Sequence, residues 1–95
     1  MSLEMRKLQL LTHSKNMLLA AQKNQWTRFS ELEAGWMVRL QASVEKYGEP
    51  LNSIGSELIK DNQEIQECLA LEQKKMLREL EQSGKNTSSI KSYLK

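Results

Sequence analysis

Residues 29–47 read FSELEAGWMVRLQASVEKY, and this stretch decides the fold class. Its large apolar side chains recur in steps of three and four residues, at Phe29, Leu32, Trp36, Leu40, Val44 and Tyr47. Such steps place side chains on one face of an α-helix, whereas a half-buried strand would need strict alternation. The stretch therefore predicts an amphipathic helix that buries one face.

The segments on either side show a similar periodicity over residues 3–21 and again over residues 51–80. Gly48 and Pro50 break the chain before the last segment, and the polar run 23–25 breaks it after the first. We therefore predict an all-α protein, an antiparallel helical bundle. Its three main helices are expected at about residues 3–23, 27–47 and 51–82, followed by a short C-terminal apolar tail over residues 83–95.

Capping residues refine these boundaries. Thr27 is expected to cap the N-terminus of the second helix, because a side-chain oxygen there can accept a bond from a free backbone N–H. Gly48 suits a left-handed C-cap, and Pro50 suits the start of the next helix because its fixed φ is already helical.

Length and composition limit the possible functions. The 95 residues suit one domain over residues 1–95, and 27% of them are charged, with a net charge of +2. The basic residues lie mostly in 1–28 and 73–95, around an acidic middle, so no dense basic face predicts direct nucleic-acid binding. No apolar run has the roughly 18–20 residues of a membrane span, and no signal peptide is visible. With one cysteine and hence no internal disulfide, we expect a cytoplasmic protein.

The reactive side chains give no support for an enzyme. His13 has Gln9 and Met17 one turn away on its helix, and neither could assist catalysis, so we expect a surface or half-buried structural histidine. Cys68 lies between Glu64 and Glu72, which disfavour a thiolate. We expect no metal site and no cofactor.

The third helix is predicted to be longer than its partners. About 30 residues would extend roughly 45 Å, against roughly 30 Å for the second helix. A three-helix core closes only where all three helices overlap, so an apolar strip should remain uncovered. We expect it to form a partner-binding groove of four residues, Leu69, Met76, Leu77 and Leu80. The alternative is that the helix kinks near Asn62, where its stripe turns polar, or starts late, and packs internally.

The C-terminal tail ends in a second small apolar group. Ile90, Tyr93 and Leu94 have the spacing of one helical turn, which is not stable alone. The tail therefore either docks back on the bundle, where it would compete with a ligand, or waits for a partner.

Weak motifs along most of the chain resemble the FliT family of flagellar export chaperones. The matching features are Trp26 followed by Phe29, the Leu32-Glu33 pair and Leu40 on one helix, then Ile59, Asp61-Asn62, Ile65, Leu69, Met76 and Leu80 on the next, and Ile90-Lys91-Ser92-Tyr93 in the tail. Trp36 and Arg39 depart from the family pattern, and the chain stops soon after Tyr93, where some members continue into a helix that regulates binding.

The resemblance implies a small cytoplasmic helical protein of type III secretion. Such a chaperone binds the C-terminal region of the filament-cap protein before export, and some members also contact the export ATPase or the flagellar master transcription regulator. A client-binding groove and no catalytic group are what this role requires. The alternative from the residues alone is a self-associating structural bundle, a homodimer without an export client, and the two can coexist.

Overall fold

The computed structural model describes residues 2–83, and these fold into three α-helices with one short connecting 3-10 helix. Helix α1 covers Leu3–Gln22, α2 covers Trp26–Tyr47 and α3 covers Gly55–Ser83, while the 3-10 helix covers Glu49–Ile54. The predicted all-α bundle of three main helices is confirmed. The predicted apolar tail lies outside the described residues, apart from Ser83, which ends α3.

The turn between α1 and α2 is a Schellman motif. Asn24 takes a positive φ of 58°, the Gln25 N–H donates to the Ala20 carbonyl at 2.9 Å, and the Asn24 N–H donates to Ala21 at 3.2 Å. This tight turn lets α2 begin at Trp26, so the prediction that Thr27 caps α2 is wrong. Gln25 occupies the cap position instead and makes no side-chain capping bond.

The connection from α2 to α3 differs from the predicted one. Gly48 has the expected positive φ of 66°, but its ψ of −128° lies outside the left-handed helical region. Pro50 lies in the first turn of the 3-10 helix rather than at the start of α3, which begins only at Gly55. Leu51 and Ile54 are nevertheless buried, because the 3-10 helix lies across the end of α1 and α2.

Helix α1 lies against both other helices. It runs parallel to α3, because Leu10 packs near the start of α3 and Ala21 packs further along it, near Ile65. Two apolar clusters fill the interior. The first, near the α1–α2 turn, contains Met17, Leu18, Ala20, Ala21, Phe29 and Ile65. The second, near the 3-10 helix, contains Leu10, Leu51 and Ile54. The half-buried Trp36 contacts both clusters and links them, so the core is continuous along α2.

The buried face of α2 departs from the predicted stripe at its C-terminal end. Val44 is exposed, and Ser43 is fully buried in its place. Each four-residue step advances about 40° around a helix with 3.6 residues per turn, so three successive steps carry Val44 away from the core. Ser43 fits there because its hydroxyl donates to the Arg39 carbonyl at 2.7 Å and accepts from the Arg6 guanidinium at 3.1 Å.

Candidate functional site

The C-terminal part of α3 extends beyond the rest of the bundle. Helix α1 ends at Gln22, beside the level of α3 where Cys68 and Leu69 pack against the core. Helix α3 continues to Ser83, and every side chain from Gln73 to Gln82 is exposed. At 1.5 Å per residue this projection is roughly 16 Å long. The described residues measure 58 × 20 × 19 Å overall, as the projection requires.

Three predicted binding residues lie together on this projection. Met76, Leu77 and Leu80 are 54%, 59% and 47% exposed, and with Gln73 they line a shallow depression of about 330 Å³. We call these four residues the distal strip. Leu69, the fourth predicted residue, lies nearer the bundle, where it is half-buried against the first apolar cluster. It contributes to the core, and the assignment of all four to partner binding stays a prediction.

Residues 55–83 do not fit the alternative, in which the whole third helix packs internally. Helix α3 starts late, at Gly55, but it is continuous through Asn62 and its C-terminal residues stay outside the core. The polar interruption of its stripe has another explanation. Asp61 is fully buried and occupies the position where an apolar side chain was expected.

Asp61 is held by two donors from α1. The Ser14 hydroxyl donates to its Oδ2 at 2.7 Å, and Lys15 Nζ donates to its Oδ1 at 2.6 Å. Lys15 also reaches Glu57 Oε2 at 3.5 Å. The hydrogen bond that Lys15 donates to Asp61, together with the negative charge of Asp61, raises the pKa of Lys15 above the usual 10.5. Sequence periodicity located this polar position but gave no sign that the carboxylate would be buried.

His13 is buried and has tertiary partners, which corrects the prediction of a surface or half-buried side chain. Its Nε2 lies 2.7 Å from the Leu32 carbonyl, and its Nδ1 lies 3.3 Å from Arg39 Nη1. A carbonyl can only accept and a guanidinium can only donate, so this geometry assigns the neutral tautomer with the proton on Nε2. The ring also meets Trp36 edge-on at 5.4 Å. Gly35 lies beside the ring, and a Cβ added there would lie 3.4 Å from His13 Cε1, at the near limit of ordinary van der Waals contact.

These groups do not form a recognisable catalytic arrangement within residues 2–83. The imidazole of His13 bonds a backbone carbonyl and a guanidinium, whereas Asp61 bonds Ser14 and Lys15. Cys68 is half-buried and packs against the first apolar cluster. The same residues contain no set of three His, Cys, Asp or Glu side chains placed to hold a metal ion. None of the helices they form has the length and apolar character needed to cross a bilayer.

Burial of the distal strip against another helix would contribute only a modest free energy. Complete burial of a Leu or Met side chain stabilises by about 1.5–3 kcal/mol. About half of the surface of Met76, Leu77 and Leu80 is already covered. The three side chains would therefore add about 3 kcal/mol, less than the roughly 4 kcal/mol of even a millimolar complex. A tight partner must also contact neighbouring surface.

No protein-family model, curated protein or solved structure matches this chain.

Proposed function

We propose that this protein is an export chaperone that holds an amphipathic segment of a client on the distal strip. The supporting observation is the α3 projection, which presents Met76, Leu77 and Leu80 on one exposed face. The resemblance to FliT chaperones suggests the client, the C-terminal region of a flagellar filament-cap protein in the cytoplasm. The export ATPase and the flagellar master transcription regulator are further partners that the same resemblance suggests.

The strip suits an amphipathic helix for two physical reasons. A projecting helix can be approached from the side, so a client helix can lay its apolar face along it in the helix-in-groove manner. Met76 has a flexible thioether side chain that adapts to imperfect partner surfaces. The modest energy of the strip alone indicates that the client also reaches the bundle end near Leu69, where Trp26 and Phe29 meet edge-on at 5.8 Å.

A self-associating bundle is the second candidate, because the same exposed strip could pair with a second copy. Such pairing would make stability depend on protein concentration. Light scattering tests self-association before any client is added. A dimer that Met76→Glu dissociates supports self-association, and a monomer at high micromolar concentration removes it.

The main test is isothermal titration of the protein with a C-terminal fragment of the filament-cap protein. We expect saturable binding in the micromolar range or tighter, and its loss in the double variant Met76→Glu/Leu80→Glu. Leu71→Glu is the matched control, since Leu71 is exposed on the same helix about 140° around the axis from Met76 and about 180° from Leu80. Circular dichroism should show equal helicity for all variants.

Two results would contradict the proposal. Equal loss of binding in the Leu71→Glu control would show that charge anywhere on α3 is harmful, so the strip would have no special role. Binding by wild type and double variant alike would place the client on another surface.

A further inference from the structure

A second apolar surface lies between α1 and α2, on a different side of the bundle from α3. This groove, of about 440 Å³, is lined by residues of both helices, among them Met5, Leu8, His13, Asn16, Leu32 and Arg39. We call it the α1–α2 groove. None of these residues belongs to α3 or to the distal strip. Met5 and Leu8 are exposed.

Arg39 gives this groove its chemical character. Its side chain is half-buried, and its one hydrogen bond among residues 2–83 runs from Nη1 to His13 Nδ1 at 3.3 Å. No carboxylate within that part of the chain lies within ion-pair distance of it. Only one of the five N–H groups of this guanidinium is engaged, and the nitrogens that carry the others remain accessible, so they are open to an anionic partner.

The guanidinium is also held in place. Arg39 donates to His13, and His13 in turn donates from Nε2 to the Leu32 carbonyl, so the cation is anchored to a buried ring. Groove charges are one-sided, since no lining residue is acidic. Glu4, the acidic residue of α1, is paired with Lys7 at 3.7 Å. The groove therefore combines apolar walls with a positioned cation that has no carboxylate of residues 2–83 within ion-pair distance.

We propose that the α1–α2 groove binds an amphipathic helix of a partner protein that carries a carboxylate between its apolar side chains. The apolar face packs on Met5, Leu8 and Leu32, and the carboxylate takes a two-pronged hydrogen bond from Arg39. From Met5 to Asn16 the groove is roughly 16 Å long, which accommodates about three helical turns. The proposal is independent of the client site, because the two surfaces share no residue.

The test uses a matched set of helical peptides about 15 residues long. All carry the same Leu stripe on an alanine-based helix, and they differ only in one central residue: Glu, Gln or Lys. Fluorescence anisotropy gives each Kd, and amide chemical shifts locate the bound peptide. We expect the Glu peptide to bind on the order of 10- to 100-fold tighter than the Gln peptide, as a charge-assisted hydrogen bond allows.

Variants of the protein separate this groove from general stickiness. Arg39→Gln should abolish the preference for Glu, and Arg39→Lys should retain part of it because the charge survives. Lys60→Gln is the charge-matched control on the exposed face of α3. Leu8→Gln should weaken binding of all three peptides. Ile59→Gln is the control, because Ile59 is comparably exposed (60%, against 58% for Leu8) but lies on α3, and it should not weaken binding.

Three outcomes would overturn the proposal. They are equal affinity for the Glu and Gln peptides, chemical shifts confined to the distal strip, and no binding at millimolar peptide. Self-association that Leu8→Gln dissociates would assign the groove to a second copy instead. Titration of the filament-cap fragment into the Arg39→Gln variant keeps the two proposals distinct. This variant should lose the preference for the Glu peptide and still bind the fragment. The Met76→Glu/Leu80→Glu variant should lose the fragment and keep the peptide preference.

Discussion

Removal of one oxygen atom from α1 should destabilise the whole bundle. Ser14→Ala deletes the hydroxyl that donates to the buried carboxylate of Asp61 at 2.7 Å. Hydrogen bonds to charged groups contribute about 1.5–3 kcal/mol, and this one is short and shielded from water. Alanine returns a few tenths of a kcal/mol through its better helix propensity. We therefore expect a net loss of about 2 kcal/mol in the free energy of unfolding.

Urea denaturation followed by far-ultraviolet circular dichroism measures this loss directly. For a domain of this size about 2 kcal/mol should also lower Tm by roughly 10 °C. Ser30→Ala is the matched control, because Ser30 is an exposed residue within α2. That variant should be neutral or slightly more stable than wild type.

A double-mutant cycle tests whether the carboxylate is the cause. In an Asp61→Ala background the hydroxyl of Ser14 has lost its acceptor, so Ser14→Ala should cost little or even stabilise. Two results would contradict this account. They are an equal loss of unfolding free energy for Ser14→Ala in both backgrounds, and a loss no larger than that of Ser30→Ala. Either would mean that the hydrogen bond from Ser14 to the buried carboxylate of Asp61 does not stabilise the fold.

Three further predictions concern the core, a basic side chain and the chain connections. Phe29→Ala should cost about 3–5 kcal/mol in urea denaturation, because Phe29 is buried in the first apolar cluster. The raised pKa of Lys15 means that the folded state binds the ammonium proton of Lys15 more tightly than the unfolded state does. The stabilisation from this difference is complete below pH 10.5 and is lost as pH rises through the raised pKa. Urea midpoints measured across that range should fall less steeply for Lys15→Met than for wild type. Gly48→Ala should cost about 1–3 kcal/mol because of its positive φ, whereas Gly55→Ala should be neutral or stabilising in the same assay, since a Cβ at Gly55 meets open space.

The candidate site shows how far periodicity reaches. Three- and four-residue steps on α3 were enough to predict a helix longer than its partners, and the projection beyond Glu72 is present. The steps did not separate Leu69 from Met76, although one packs on the core and the other is exposed. That difference depends on where α1 ends beside α3, which is a distance between helices rather than a property of either sequence.

The sequence by itself determined the helices, because helix formation depends on local spacing, on the scarcity of Gly and Pro, and on breakers such as Gly48. Only the tertiary structure decided the polar interior. Asp61 meets Ser14, and His13 meets Arg39, across 47 and 26 positions of the chain. A buried carboxylate or imidazole is stable only where donors and acceptors from other helices surround it, and no pattern within one helix records them. For the same reason, the placement of Arg39 in the α1–α2 groove became visible only once α1 and α2 were packed together.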